Sequence, residues 1–319
     1  MGGLTHKIEE LRKQRRAVIL AHNYTLPEVQ ELADFVGDSL DLAFRGAAVR
    51  ADVIVFCGVR FMAEMVKILN PSAKVLMPDT RAGCPMADMV TPEDLLAAKA
   101  KHPGCVVVCY VNSSAAVKAL ADICCTSANA TKVLATIPPE REILFVPDRN
   151  LGAFAAEKAG RRVTCWKGFC PTHERILPEH VAEARKVHPD AVVVAHPECT
   201  AAVRSMADHV ASTSGMLAYC RNSQGQAYII ATEEGLLHRL RRENPTKEFF
   251  PASPHMLCPN MKRTTAEKIL WCLEELSGEI VVDPEVAARA RQTLERMLAI
   301  APPASRPKAE QATMQERVA

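Results

Sequence analysis

At 319 residues the chain is long enough for two or three small domains, and 48% hydrophobic with 24% charged residues is ordinary for a soluble globular protein. A formal net charge of +2 gives no reason to expect nucleic acid or a membrane surface as partner, and no apolar run approaches the roughly 18–20 residues that span a bilayer. Twelve cysteines, with no apolar leader in the charged segment 1–16, argue against a disulfide framework and for a cytoplasmic protein with free thiols.

Residues 1–16 read as a charged helix. A β-rich run at 17–22 ends in a ring, His22, with Tyr24 two residues on. Ser39 opens an apolar helical stretch. Residues 53–56 read as a second strand, 61–69 as a helix and 74–77 as a third strand, and then comes Cys84-Pro85. The series starts again. Thr91-Pro92-Glu93 opens a helix that closes at His102-Pro103, with Pro as both start and stop signal. Strand 105–110 ends in Tyr110, followed by Asn112 and Ser127. Strand 143–146, helix 151–158 and strand 162–165 lead to Cys170-Pro171. A third series runs from Leu177-Pro178-Glu179 to His188-Pro189, strand 191–196 with His196 and Glu198, Thr213, strands 228–231 and 248–250, and Cys258-Pro259. A terminal helix is expected at 283–300, packed back on the first copy, and the Pro-rich polar stretch 301–319 reads as a flexible tail.

The Cys-Pro pairs, the rings that end the first strands, the hydroxyls and the Pro-Glu helix starts recur 86 or 88 residues apart. That period is too long for a solenoid and suits lobes around an axis. The expected fold is α/β: three homologous three-layer lobes, each with a small parallel sheet of three strands, around a pseudo-threefold axis. The boundaries are 1–81 (completed by 262–300), 82–168 and 169–261.

Superposed copies bring three sets of side chains to that axis. His22, Tyr110 and His196 end the first strands, with Tyr24, Asn112 and Glu198 just beyond; ligands bind at this edge of open parallel sheets. Ser39, Ser127 and Thr213 read as helix caps, an ordinary role that at the axis doubles as anion binding. Glu198 is the expected general acid or base. Cys84, Cys170 and Cys258 offer three thiolates and leave a fourth position open. The other nine cysteines fit core or incidental positions. His173 or His255 could complete a Cys₃His zinc site, whereas lone Cys-Pro ligands from separate lobes favour a [4Fe–4S] cluster with one iron free. Such an axis suits a small, multiply anionic substrate.

The chain resembles the quinolinate synthase family. The matching segments include Ala21-His22-Asn23-Tyr24, Gly37-Asp38-Ser39, Gly83-Cys84-Pro85, Tyr110-Val111-Asn112, Gly168-Phe169-Cys170-Pro171-Thr172-His173, His196-Pro197-Glu198 and Ser212-Thr213-Ser214. The resemblance runs from about residue 15 to 285. It implies condensation of iminoaspartate with dihydroxyacetone phosphate to quinolinate, phosphate and two waters, on the route to NAD. It also implies a [4Fe–4S] cluster on Cys84, Cys170 and Cys258, and functional coupling to an L-aspartate oxidase. By motif, the substrate contacts are His22, Ser39, Tyr110, Val111, Asn112, Ser127, His173, His196, Pro197, Glu198 and Thr213, walled by Phe61 and Met62. Glu198 with Tyr24 is expected to shuttle protons, with His22 and His196 beside them. Trilobal isoprenoid-diphosphate reductases and diphthamide enzymes share the three-cysteine plan but have motifs not found here, and a zinc-organised binding protein is the non-enzymatic alternative.

Overall fold

Short runs of Val, Ile and Ala form the centre of each copy. The computed structural model describes residues 2–300, so the expected tail at 301–319 lies outside the described residues. Among the described residues, twelve strands make three sheets, all parallel. The first has β1 (Ala17–His22), β2 (Phe35–Gly37), β3 (Val53–Cys57) and β4 (Lys74–Leu76) in the order β2-β1-β3-β4. The second has β5 (Val106–Tyr110), β6 (Ile123–Cys125), β7 (Ile143–Val146) and β8 (Thr164–Cys165), ordered β6-β5-β7-β8. The third has β9 (Val192–Ala195), β10 (His209–Val210), β11 (Ala227–Ala231) and β12 (Glu248–Pro251), ordered β10-β9-β11-β12. Each copy therefore has four strands rather than the three expected. The unexpected ones, β2, β6 and β10, span only two or three residues, too few for any alternation to be read.

Strands β1 and β3 are buried along their whole length, as parallel strands with helices on both faces must be. Their alternation divides two cores. Val18 and Leu20 join the interior shared by the three sheets. Ala17, Ile19 and Ala21 face the other way, packing with Ile8, Ile269 and Leu273 of helices Gly2–Gln14 and Ala266–Glu275. The third sheet divides likewise, with Val194 and Ile230 facing inward and Val193 and Ile229 facing outward.

The strand order reverses beside the first strand of each copy, so its carboxyl end opens onto a crevice. That is where His22, Tyr110 and His196 stand. Each cysteine loop is pinned to this crevice in the same way. The N–H of the third residue beyond β3, β7 and β11 (Arg60, Arg149, Glu234) donates to the carbonyl two residues before the cysteine (Ala82, Gly168, Met256), at 2.9, 2.9 and 3.2 Å. At Gly168 the approach is so close that a Cβ would lie 2.4 Å from the Pro147 carbonyl oxygen.

The expectation that the terminal helix packs back on the first copy describes only part of its seat. Helix Pro284–Ile300 lies against helix Ala115–Leu120 and β6 of the second copy, and also against helix Arg60–Leu69 of the first. Thr293 Oγ1 donates to the Lys118 carbonyl, Arg296 Nη1 to that of Asp122, and Arg291 to that of Ile68. The helix seals a seam between two copies. Among the described residues, no helix is long and apolar enough to cross a membrane.

Candidate active site

A cavity of about 170 Å³ lies where the three crevices meet. Its wall carries His22, Tyr24, Ser39, Tyr110, Asn112, Ser127, His173, His196, Glu198 and Thr213, with Cys84, Cys170 and Cys258 and the apolar Phe61 and Met62. Val111 and Pro197 are buried next to lining residues but are not part of the wall. Sequence reasoning passed over Asp38, Arg175 and Glu233, which also line it. Thr232 was missed as well.

His22 and His196 sit alike in their copies. Each Nδ1 accepts the N–H of the residue two positions on, Tyr24 or Glu198, at 3.2 Å. A nitrogen that accepts carries no proton, so each ring presents Nε2–H. From His196 that proton goes to Ser127 Oγ at 3.2 Å. Burial, the largest cause, holds both imidazoles down to about 3. They are neutral donors.

Glu198 is the centre of a buried polar chain. Tyr110 OH donates to its Oε1 at 2.5 Å, and His173 Nδ1 lies 2.8 Å from its Oε2. On the other side of the ring, His173 Nε2 is 2.9 Å from Thr232 Oγ1, which is 2.6 Å from the Tyr24 hydroxyl. Tyr24, Thr232, His173, Glu198 and Tyr110 thus form one hydrogen-bonded series. The expected Glu198–Tyr24 pairing is indirect: two intermediate side chains connect them. Burial acts to raise the Glu198 carboxyl, but attraction to His173 and hydrogen bonds from His173 and Tyr110 prevail and hold it below the usual carboxylate range. Tyr24 and Tyr110 are pushed up, by burial first and then by the Glu198 charge. At neutral pH the arrangement is a carboxylate base with phenol acids at both ends.

In the first and third copies the hydroxyl lies one residue past the cap. Asp38 and Ser212 are the N-caps of helices Ser39–Ala48 and Thr213–Asn222, and Thr126 holds the corresponding turn. Ser39 and Thr213 are therefore first-turn residues, and Ser127 stands two residues before Asn129, the N-cap of helix Ala130–Thr136, so none of the three is the expected cap. Thr213 Oγ1 accepts from Asn23 Nδ2 at 2.8 Å. Asn112 Oδ1 is buried with no hydrogen-bond partner among the described residues. It is an acceptor left for a ligand.

Each cysteine precedes or caps a short helical turn, and its thiol is met by the N–H three residues on, from Ala87, His173 or Met261. Burial pushes Cys84 up to about 12 and raises Cys170 and Cys258; the thiols are close enough that Cys258 adds to Cys84, and Cys84 to Cys170. Three neutral thiols met by backbone donors are a donor set that a metal centre would deprotonate on binding. His173 Nδ1 lies 3.1 Å from Cys170 Sγ, and Cys170, His173 and Glu198 offer ligand atoms all within 4.8 Å of one another. His255, the other candidate zinc ligand, is instead exposed beside His180 and not on the wall.

The fold and this site define a class: three-lobed α/β proteins that gather one cysteine per lobe around an acid–base chain. The family model described as quinolinate synthetase A protein matches residues 6–299. A quinolinate synthase of Geobacter metallireducens is 54% identical over 297 residues, covering 93% of this chain and 97% of that protein. Quinolinate synthases of Desulforudis audaxviator and Methanoregula boonei are 52% and 51% identical, over 93% of this chain and 98% of theirs. The chain belongs to the quinolinate synthetase A family of enzymes.

Proposed function

We propose that this chain condenses iminoaspartate with dihydroxyacetone phosphate, giving quinolinate, phosphate and two waters for the biosynthesis of NAD. The observation that carries the proposal is the Tyr24–Thr232–His173–Glu198–Tyr110 chain on the wall that also holds three cysteines. Cys84, Cys170 and Cys258 would hold a [4Fe–4S] cluster. The donor set fits, because three thiols leave one iron without a protein ligand and both nitrogens of His173, the alternative fourth ligand, are already engaged by Glu198 and Thr232. When bound, the cluster supplies a Lewis-acidic iron.

The side chains divide the remaining work. The two carboxylates of iminoaspartate and the phosphate of the triose need donors. Nε2–H of His22, Nε2–H of His196 and the first turns at Ser39 and Thr213 provide them without adding net charge. Arg175 is the one Lys or Arg on the wall among the described residues, and it stands exposed. Glu198 takes a proton from substrate carbon. Tyr24 returns one to a departing oxygen, and the Thr232 and His173 bonds between them reverse direction to restore the chain. Phe61 and Met62 keep water from that face.

The lobe boundaries at residues 81, 168 and 261 remain part of this proposal, each falling near a cysteine loop. All twelve cysteines are free, which supports a reducing, cytoplasmic setting. Iminoaspartate hydrolyses readily as a free imine, and that supports supply by an L-aspartate oxidase acting close by.

Glu198→Gln tests the proposal. Anaerobically prepared protein should keep the broad absorption near 400 nm expected of an iron–sulfur centre. It should lose quinolinate formation from the two substrates by a factor of roughly 10²–10⁴, the usual worth of a general acid–base group. Retained turnover would remove Glu198 from the mechanism, and a colourless wild-type protein holding one zinc would replace the cluster with a site on Cys170, His173 and Glu198.

A further inference from the structure

The three cysteine loops are pinned alike at the carbonyl two residues upstream, but they differ at the cysteine itself. Among the described residues, only Cys258 has its own N–H held by a carboxylate: Glu233 Oε1 accepts it at 3.0 Å. Glu233 is fully buried. Its Oε1 also accepts from Lys262 Nζ at 2.8 Å, and its Oε2 accepts from the Gly235 N–H at 2.8 Å and from Lys262 Nζ at 3.0 Å. Lys262 closes the 3₁₀ turn Pro259–Lys262 that follows Cys258. Its ammonium makes a further bond, to the Tyr24 carbonyl at 2.7 Å. At Gly235 a Cβ would lie 2.8 Å from the Tyr24 carbonyl carbon and oxygen. The third copy's backbone therefore touches that of Tyr24.

The corresponding positions in the other copies, two residues past β3 and β7, are Val59 and Asp148. Valine accepts nothing. The Asp148 carboxylate turns to its own helix, Oδ1 accepting from the N–H groups of Asn150 and Leu151, while Oδ2 is buried without a hydrogen-bond partner among the described residues. The arrangement is thus confined to the copy whose cysteine loop abuts Tyr24.

We propose that Glu233 and Lys262 are a positioning pair that holds the Cys258 loop in register with Tyr24, fixing the spacing between the metal-binding face and the acid–base chain. This rests on reading Cys84, Cys170 and Cys258 as metal ligands. Removing either partner leaves a largely buried charge uncompensated, and removing Glu233 also orphans the Cys258 N–H. The loop is then free to move, and Tyr24 loses the bond to its carbonyl.

The test uses the full chain reconstituted anaerobically with ferrous iron and sulfide. The readouts are iron content, the rate at which an iron chelator bleaches the 400 nm absorption, and steady-state kinetics. E233A and K262M should each bleach at least tenfold faster than wild type. The double variant should be little faster than either single one, because the pair acts as a unit. K262R should recover most of the loss. In K262M, kcat should fall several-fold with KM for both substrates changed less than twofold, since Tyr24 rather than substrate binding is disturbed. Bleaching at the wild-type rate in K262M, or single effects that simply add in the double variant, would overturn the pair. If E233A does not fold, K262M and K262R decide the matter, Lys262 being partly exposed on a turn. Wild-type protein that takes up no iron would instead remove the cysteine-ligand reading, an outcome visible before any variant is made.

Discussion

A histidine whose Nδ1 accepts a backbone N–H has its tautomer chosen for it. His22 and His196 are both in that position, and both are buried to a few per cent exposure. Protonating either ring would place a second proton against an N–H donor in a low-dielectric interior, so burial pulls their proton affinity down to about 3. The unfolded chain has no such constraint, and its histidines titrate near 6.5. Between about pH 6.5 and 3 the unfolded state therefore binds more protons. The stability that depends on these neutral rings is complete above about pH 6.5 and is lost as pH falls through that window. The urea midpoint of the metal-free protein should be flat above neutrality and fall below it. H196Q should remove about one proton from the slope, or roughly 1.4 kcal/mol per pH unit. A slope unchanged by H196Q would mean that the ring is protonated in the folded protein. The polar rings themselves were visible in the sequence because they end apolar strands at a fixed interval. Their protonation state was not, since it depends on a backbone donor two residues on and on burial.

Elements carry the same division between what repeats and what does not. Each copy has two adjacent polar residues before its central helix: Asp38-Ser39, Thr126-Ser127 and Ser212-Thr213. Sequence alone cannot say which member takes the cap, because both residue types cap well and helix ends are uncertain by a residue. In the first and third copies, extended backbone at Asp38 and Ser212, with their side chains accepting helix N–H groups, settles it in favour of the first member; in the second, Asn129 stands at the cap of helix Ala130–Thr136 instead. The second member is then left facing the cavity. The two roles separate by substitution. S212A should cost about 1 kcal/mol of stability, the usual worth of a cap, with KM nearly unchanged. T213A should raise KM for the anionic substrates several-fold, with a smaller loss of stability from its bond to Asn23. Urea unfolding and substrate titration of the two variants check this, and equal effects on both measures would erase the distinction. The long strands were legible from their Val and Ile runs. Strands β2, β6 and β10 are too short to impose a pattern and exist because an edge beside β1, β5 or β9 accepts them.

At the scale of the whole molecule, the repeat makes the frame and its exceptions make the site. Three equivalent loops bring equivalent cysteines together, but the acid–base chain runs from Tyr24 in the first copy through Thr232, His173 and Glu198 in the third to Tyr110 in the second. Superposing copies finds whatever recurs, so it reached the cysteines, the rings and the hydroxyls. It could not reach Thr232, Glu233 or Lys262, whose roles exist in one copy only. The terminal helix is another such exception, and it also breaks the threefold symmetry. Ala290, Leu294 and Met297 are fully buried in the shared core, and Thr293 bonds to Cys124 and to the Lys118 carbonyl. No residue of this helix lines the cavity. Its contribution is to seal the seam between the first and second copies. L294A removes a fully buried leucine side chain and should cost about 2–5 kcal/mol, a large part of an ordinary domain's stability. KM for both substrates should remain near wild type at temperatures where the variant is folded, because the loss is spread over a seam remote from the ligands. Thermal unfolding and kinetics on the same preparation test the two halves. A variant with an unshifted midpoint would mean the seam closes without the helix, and a raised KM at full folding would mean that the spacing of the copies is set here and transmitted to the cavity wall.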